Sequence, residues 1–454
     1  MLLIEIAIVI AGIILFQPYI GIVITICSLP VAAMLPQIPY LTSAIQLIGA
    51  ITLLSFLLKH WNKISFKRLS TLHILVLLFI AWIFVSNPQA ALLNEQRNSL
   101  FTFIQLWILI WLTSELMDTA EKQHILMWAF SLVSLTSAII SISQGQIRQS
   151  VSTSIRAGGL AAEPNESSIY FVISMLFFNY LSSIQDKTLI RLFAIAGGIT
   201  TALAVFFTLS RTGILLLFAA ICLQILFYQN KKQVLLLIFI YLCAIAFFVL
   251  TTQNISIIIH SILPSILQGT DTVGLRYTYW KAGWKMWLDH IIAGVGIGMF
   301  PKELRYYAFN LPVRYWSATA HNTYILILAE TGIIGFIIYI LILLLSLTNF
   351  LNKSSNVNDL MKSSKNTWLC AFIIILLSSL TLSLSYNKLI WFMIGISITV
   401  KSSAAKPHGH SRLIAQPGQV ELSQFHRIKW SGGTTTENQL SAGAERRGEP
   451  EPPT

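Results

Sequence analysis

Apolar residues in this chain fall in long runs divided by short polar breaks. Residues 213–228 and 234–251 are typical, and each approaches the ~20 residues that a helix needs to cross a hydrocarbon layer at ~1.5 Å per residue. A backbone in lipid has no water to satisfy its amides, and a lone strand leaves open edges, so every such run is predicted to be helical. The pattern sets spans at 43–58, 71–85, 98–116, 124–143, 168–184, 189–209, 213–228, 234–251, 323–347, 368–384 and 389–400. Residues 1–35 add one or two more. Gln17, Pro18 and Tyr19 suit either a tight turn between two short helices or a kink in one tilted helix. That stretch has no basic leader and no small-residue cleavage site, so it is expected to remain as membrane structure rather than act as a signal peptide. The predicted architecture is all-α, a polytopic transmembrane helix bundle of about twelve helices over residues 1–400.

Composition excludes a soluble core. Hydrophobic residues make up 55% and charged residues 11%, with a mean hydropathy of +0.71, whereas soluble domains carry about a quarter charged residues. Cys27, Cys222, Cys243 and Cys370 all lie in apolar runs, as small hydrophobes, and show neither a disulfide framework nor metal spacing. The net charge of +12 takes its meaning from position. Lys59, Lys63, Lys67 and Arg68 share one break, Lys187 and Arg191 a second, Lys231 and Lys232 a third, and Lys353, Lys362 and Lys365 a fourth. All four fall on one side of the alternating path. The positive-inside rule makes that side cytoplasmic, accounts for the basicity without nucleic acid, and leaves residues 144–167 and 252–322 outside.

Residues 252–322 are too many for a plain connection and carry Arg276, Lys281, Lys285, Lys302, Arg305 and Arg314. Trp280, Trp284 and Trp287 recur at helical spacing beside Arg276, which predicts an amphipathic helix at the membrane interface and a lid or platform over the bundle. Beyond Val400 the chain turns polar, and residues 401–454 are expected to form a disordered cytoplasmic tail. No internal repeat is found, nor a matched pair of interrupted helices of the kind that marks secondary transporters.

Three residues stand out chemically. Arg211, in Ser210-Arg-Thr-Gly213, sits between two spans with almost no loop, so its charge lies at or below the headgroup level; it is either an interfacial Arg that snorkels or an anion clamp facing the bundle. His321, in Ala320-His-Asn-Thr-Tyr324, lies where the long loop meets the next span, either as a cap or as a general base, since His titrates near neutrality. Arg276 offers a planar fork suited to phosphate oxygens, or is an ordinary loop charge. Arg156 in the other outer loop is a weaker candidate. Glu330 comes nine residues after His321, on the opposite face of a straight helix, which suits a structural role. Gly294-Val-Gly-Ile-Gly298 has no strand before it and no Gly-Lys-Ser/Thr after it, so it reads as a tight turn rather than a phosphate loop. No spacing suggests a metal site.

Together, Ser210-Arg-Thr-Gly213, Gly274-Leu-Arg276 with its Trp-rich helix, Gly294-Val-Gly-Ile-Gly-Met-Phe300 and Ala320-His-Asn-Thr-Tyr324 followed by Ala329-Glu-Thr-Gly-Ile-Ile-Gly335 resemble the O-antigen ligase and polymerase superfamily. The resemblance covers residues 1–400 and is strongest from Arg211 to Gly335. It implies a bacterial inner-membrane glycosyltransferase with a large periplasmic loop, which uses an undecaprenyl-pyrophosphate-linked glycan as donor and needs no cofactor or metal. By motif it implies His321 as the general base and Arg211 and Arg276 as stabilisers of the leaving pyrophosphate; Asn322, Arg156, Lys281 and Arg314 are further candidate substrate contacts. The acceptor is a lipid A-core saccharide in a ligase, a second lipid-linked glycan in a polymerase, or a protein side chain in an O-oligosaccharyltransferase. Ligase is the expectation, because the chain shows no extra domain for gripping a protein. From another class, a polysaccharide-lipid transporter would use the same arginines without covalent chemistry.

Overall fold

A computed structural model describes residues 2–35, 44–60, 69–86, 94–149, 158–161, 163–227, 272–309, 311–352 and 359–405, with positions 235 and 239 alone between two of these stretches. The span expected at 234–251, the first part of the long loop, Arg156 and the tail from residue 406 lie outside them, as does the side chain of Arg314. The described chain is helical, without strands: α1 (Leu2–Phe16), α2 (Pro18–Cys27), a 3-10 turn (Leu29–Met34), α3 (Ala44–His60), α4 (Thr71–Ser86), α5 (Asn94–Leu116), α6 (Ala120–Gln149), α7 (Pro164–Ile184), α8 (Thr188–Phe207), α9 (Arg211–Phe227), α10 (Thr272–Asp289), α11 (Phe300–Tyr307), a 3-10 turn (Val313–Tyr315), α12 (Thr323–Leu351), α13 (Asp359–Ser378) and α14 (Lys388–Ala405). Among the described residues five helices are long and apolar enough to cross a membrane: Glu95–Leu116, Ala120–Gln144, Pro164–Ile184, Thr188–Phe207 and Thr323–Leu351. Shorter apolar helices, including α3, α4 and α9, fill out the bundle.

Helix α7 lies at the centre. Its apolar window is 89% buried, against 56% for the next most enclosed of the five, because α6, α8, α9 and α13 all pack around it. Lipid tails are as apolar as a leucine, so such packing depends on close contact between helices rather than on escape from water. Helix α8 provides it with Ala194, Gly197 and Gly198; a methyl at Gly197 would stand 2.8 Å from the Phe178 ring. Some polar side chains inside the bundle pair with each other, which offsets the cost of burying them. Asn179 Nδ2 donates to Gln224 Oε1 at 3.1 Å, and Trp368 Nε1 donates to Gln123 Oε1 at 3.0 Å.

The structure corrects several expected boundaries. Residues 1–35 hold two helices, broken at Gln17 (φ −139°, ψ 86°), and both pack on α3. Helix α6 continues to Gln149, so the connection that follows is shorter than the expected 144–167. Helix α13 ends at Ser378 instead of residue 384, because Thr323 takes over where its next turn would be. The amide of Thr323 donates to Ser379 O at 2.8 Å, its hydroxyl donates to Leu382 O at 2.7 Å and accepts from Leu384 N at 2.8 Å. Helix α14 runs past Val400 to Ala405.

The largest departure is in α12, expected to be one straight span. Gly332 has φ 65° and ψ −171°, a conformation essentially confined to glycine, and it splits α12 in two. The first half begins against the end of α13, where Tyr324 Oη donates to Leu376 O at 2.9 Å, and ends against α4, where Trp82 Nε1 donates to Thr331 O at 2.9 Å. A break exposes backbone groups that need partners, and the turn 291–298 provides them. Val295 N donates to Ala329 O at 2.9 Å, Gly296 N to Glu330 O at 3.0 Å, and Ile333 N to Ile291 O at 2.8 Å. The glycines at 294, 296 and 298 all have positive φ, and a Cβ at Gly294 would collide with the Glu330 backbone. The buried Glu330 side chain accepts from Phe300 N at 3.1 Å and so holds the start of α11.

Through this junction the described part of the long loop, from residue 272 on, packs on the bundle. Helix α10 packs on the bundle through Tyr279, Ala282 and Met286, which form a small second core with Phe300, Leu304, Ala320, Leu326 and Ala329. Gly283 lets it approach, since a methyl there would lie 2.6 Å from Ile325. Trp284 remains 51% exposed and pairs edge-on with Trp287 at 4.7 Å between centroids. Replacing Gly332 by Ala would force a side chain into a glycine-only conformation and against the Ile292 carbonyl. We expect Gly332→Ala to cost about 1–3 kcal/mol from the backbone alone and more from the collision, read as a fall in thermal stability of the purified protein.

Candidate active site

Three helix N-termini meet at one end of the bundle. The first is α7, whose N-cap is Glu163 with Pro164 following; proline suits this place because it lacks an amide that a helix start could not use. The second is α9. Helix α8 ends at Thr208, Leu209 turns the chain with φ 50°, and Ser210 caps the new helix by accepting from Gly213 N at 3.1 Å. Arg211 is thus the first residue of α9. The third is α12, capped by Asn322, whose Oδ1 accepts from Tyr324 N at 3.0 Å and Ile325 N at 3.1 Å.

Hydrogen bonds tie these ends together. Ser210 Oγ donates to Asn165 Oδ1 at 2.9 Å, and Asn165 Nδ2 donates to Glu163 Oε1. Gly213 permits this contact, because a methyl there would lie 2.5 Å from Ser168 Cβ. The segment 379–387 is common ground for the other pair. Its Asn387 Nδ2 donates to Tyr170 Oη on α7 at 3.1 Å, while Thr323 at the start of α12 bonds Ser379, Leu382 and Leu384. The loop is clamped at this same end, where Lys302 pairs with Glu95 at 2.7 Å.

His321 immediately precedes the α12 cap, half-buried, with φ 49°, a left-handed conformation uncommon for a residue other than glycine. Its ring stacks on Tyr279 of α10, 6.1 Å between centroids and 30° between planes. Burial holds its pKa below the ordinary 6.5; the positive charge of Arg276 lowers it further, and Glu163 acts in the opposite direction. The imidazole is therefore neutral at pH 7, the form that can accept a proton. A reaction that uses this base should keep full rate at neutral pH and lose it as pH falls through a value below 6.5. Arg276→Gln should move that acidic limb to higher pH, since one of the lowering influences is gone, and a pH–rate profile reads the shift. Stability follows the same sign: protonation is harder in the folded protein, so this group's contribution is present above 6.5 and lost as pH drops below it.

The predicted residues separate into two groups. Arg276 and His321 are brought together, and Arg211 is joined to Glu163 through Ser210 and Asn165. Arg211, half-buried, stands at the positive end of its own helix, an unfavourable place for a cation on its own and a favourable one for holding an anion. Asn322 has its side-chain oxygen engaged in the cap, so Asn322→Ala should cost about 1 kcal/mol of stability, checked by thermal unfolding. Lys281 is exposed on α10. Glu163, Asn165 and Tyr279 join the site without having been singled out from sequence; a helix-opening Glu-Pro-Asn beside an arginine-bearing turn was the available signal.

No curated protein matches this chain. Residues 196–340 match the family model described as O-Antigen ligase, a stretch that begins within α8 and contains Arg211, Arg276 and His321. By that match this segment of the chain is similar to the O-antigen ligase family.

Proposed function

We propose that this protein is an O-antigen ligase of the bacterial inner membrane, transferring a glycan from undecaprenyl pyrophosphate to a lipid A-core acceptor at the periplasmic face. The observation that carries the proposal is the meeting of a neutral, half-buried His321 with Arg276 beside three helix N-termini, one of them bearing Arg211. Helix N-termini and guanidinium groups favour phosphate oxygens, and preorganised positive charge is most useful where negative charge develops. In this reading the pyrophosphate lies between Arg211 and Arg276. The acceptor hydroxyl gives its proton to His321 as its oxygen bonds to the anomeric carbon; the anomeric C–O bond breaks and its electron pair leaves on the pyrophosphate. A single displacement inverts the anomeric centre. The polyprenyl chain stays among the membrane lipids beside the bundle.

Polymerisation onto a second lipid-linked glycan, or transfer to a protein side chain, uses the same donor chemistry with another acceptor, and a transporter uses the same arginines without bond formation. The test is reconstitution in proteoliposomes with a purified undecaprenyl-pyrophosphate glycan and each acceptor in turn. A lipid A-core product linked with inverted configuration is expected. A product formed only on another acceptor, or translocation without any product, would overturn the ligase reading.

A further inference from the structure

The site has a charge problem that its own geometry identifies. The positive ends of α7, α9 and α12 and the guanidinium groups of Arg211 and Arg276 suit a pyrophosphate, yet the same field opposes a proton on His321. A general base must carry that proton through the transition state. A carboxylate is present at this end of the bundle: Glu163, half-buried at the start of α7. Its Oε1 accepts from Asn165 Nδ2, Asn165 Oδ1 accepts from Ser210 Oγ at 2.9 Å, and Ser210 caps the helix that begins with Arg211. The carboxylate is thereby fixed relative to the Arg211 turn, while the shared segment 379–387 fixes the start of α7 relative to Thr323 and the preceding His321.

We propose that Glu163 is a positioning residue for the general base: its carboxylate faces the His321 imidazole and stabilises the imidazolium formed as the acceptor hydroxyl gives up its proton. This rests on His321 being the base. The proton moves from the acceptor oxygen to a ring nitrogen of His321 and is released to water when the product leaves, so Glu163 makes and breaks no bond in the reaction. Asparagine at 165 divides the labour, with its amide nitrogen on the carboxylate and its amide oxygen on the arginine turn. The charged groups that act on His321 are Arg276 on α10 and Glu163 at the start of α7, Tyr279 on α10 stacks on its ring, and Glu166 and Tyr170 on α7 interact with Glu163; Arg211 follows Ser210, which bonds Asn165. Of the two charged residues that act on the imidazole, Glu163 favours the imidazolium and Arg276 opposes it.

The experiment titrates His321 directly in the full-length protein in detergent micelles, with labelled histidine followed by nuclear magnetic resonance and the His321→Ala variant used to identify the signal. No substrate is needed. Glu163→Gln keeps an oxygen for Asn165 but loses the charge, and should shift the His321 midpoint to lower pH; Glu163→Asp should restore most of it. In glycan transfer, Glu163→Gln should fall about 10- to 100-fold, near the low end of what positioned acid–base groups contribute, with the acidic limb of the rate profile moved down in step and recovered in Glu163→Asp. A purely structural Glu163 would weaken folding and leave the His321 midpoint in place, and an unmoved midpoint in folded Glu163→Gln overturns the proposal. Failure of the base reading shows itself separately, as transfer that survives in His321→Ala.

Discussion

His321→Ala should abolish glycan transfer, lowering it by at least about 10²-fold, while the protein still inserts and remains folded. The reasoning has two parts. The proton on the acceptor hydroxyl must go somewhere as the oxygen attacks, and the neutral imidazole at the mouth of the bundle is placed beside the arginine that would hold the leaving group. The ring makes a stacking contact with Tyr279 but caps nothing, since the α12 cap is made by Asn322. Its removal should therefore spare the fold. The check is transfer by purified variant in proteoliposomes, with thermal unfolding beside it. Undiminished transfer would end the general-base role, and the left-handed backbone at His321 would then reflect only the sharp entry into α12.

Arg211→Ala should cost about 10²–10³-fold in transfer, the scale seen when one preorganised donor to a developing negative charge is removed. Arg211 begins α9, whose first amides are the positive end of the helix, so in the proposed reading the guanidinium and the helix start serve the same anion. Its loss should appear mainly in turnover, because pyrophosphate gains charge as the anomeric bond breaks. Arg276→Lys separates charge from shape: a lysine keeps the charge but not the planar fork, so a bidentate contact predicts a substantial loss and a simple field effect predicts little. Measuring turnover and apparent substrate affinity for both variants distinguishes the two. A transporter that relied on these residues would lose translocation in Arg211→Ala and show no product with either protein.

Much of the architecture was readable in advance. The spans ending at Leu116, Ile184 and near residue 227 follow directly from apolar run length, since the cost of unsatisfied amides in lipid leaves a helix as the only option. Boundaries set by tertiary partners were not readable. Helix α13 stops early because Thr323 occupies its end, and α12 breaks at Gly332 because the turn 291–298 takes the freed carbonyls. A glycine in an apolar run is compatible with a continuous helix, so nothing local marks the break. The tryptophans marked α10 as a helix, but its packed face, made by Tyr279, Ala282 and Met286, was not singled out.

By itself the sequence determined that this is an all-α chain built to lie in a membrane, and it singled out Arg211, Arg276 and His321 by motif and by the cost of charge near lipid. Both are properties of single residues and short segments, carried by hydropathy and helix geometry. Only the tertiary structure decided that the starts of α7, α9 and α12 converge, that Arg276 and Glu163 act on His321 with opposite sign, and that the turn 291–298 is locked to a broken helix by backbone hydrogen bonds. Those relations join residues from tens of positions apart, as in Asn165 and Ser210, to well over a hundred, as in Glu163 and His321, and they arise from packing, which no local pattern encodes.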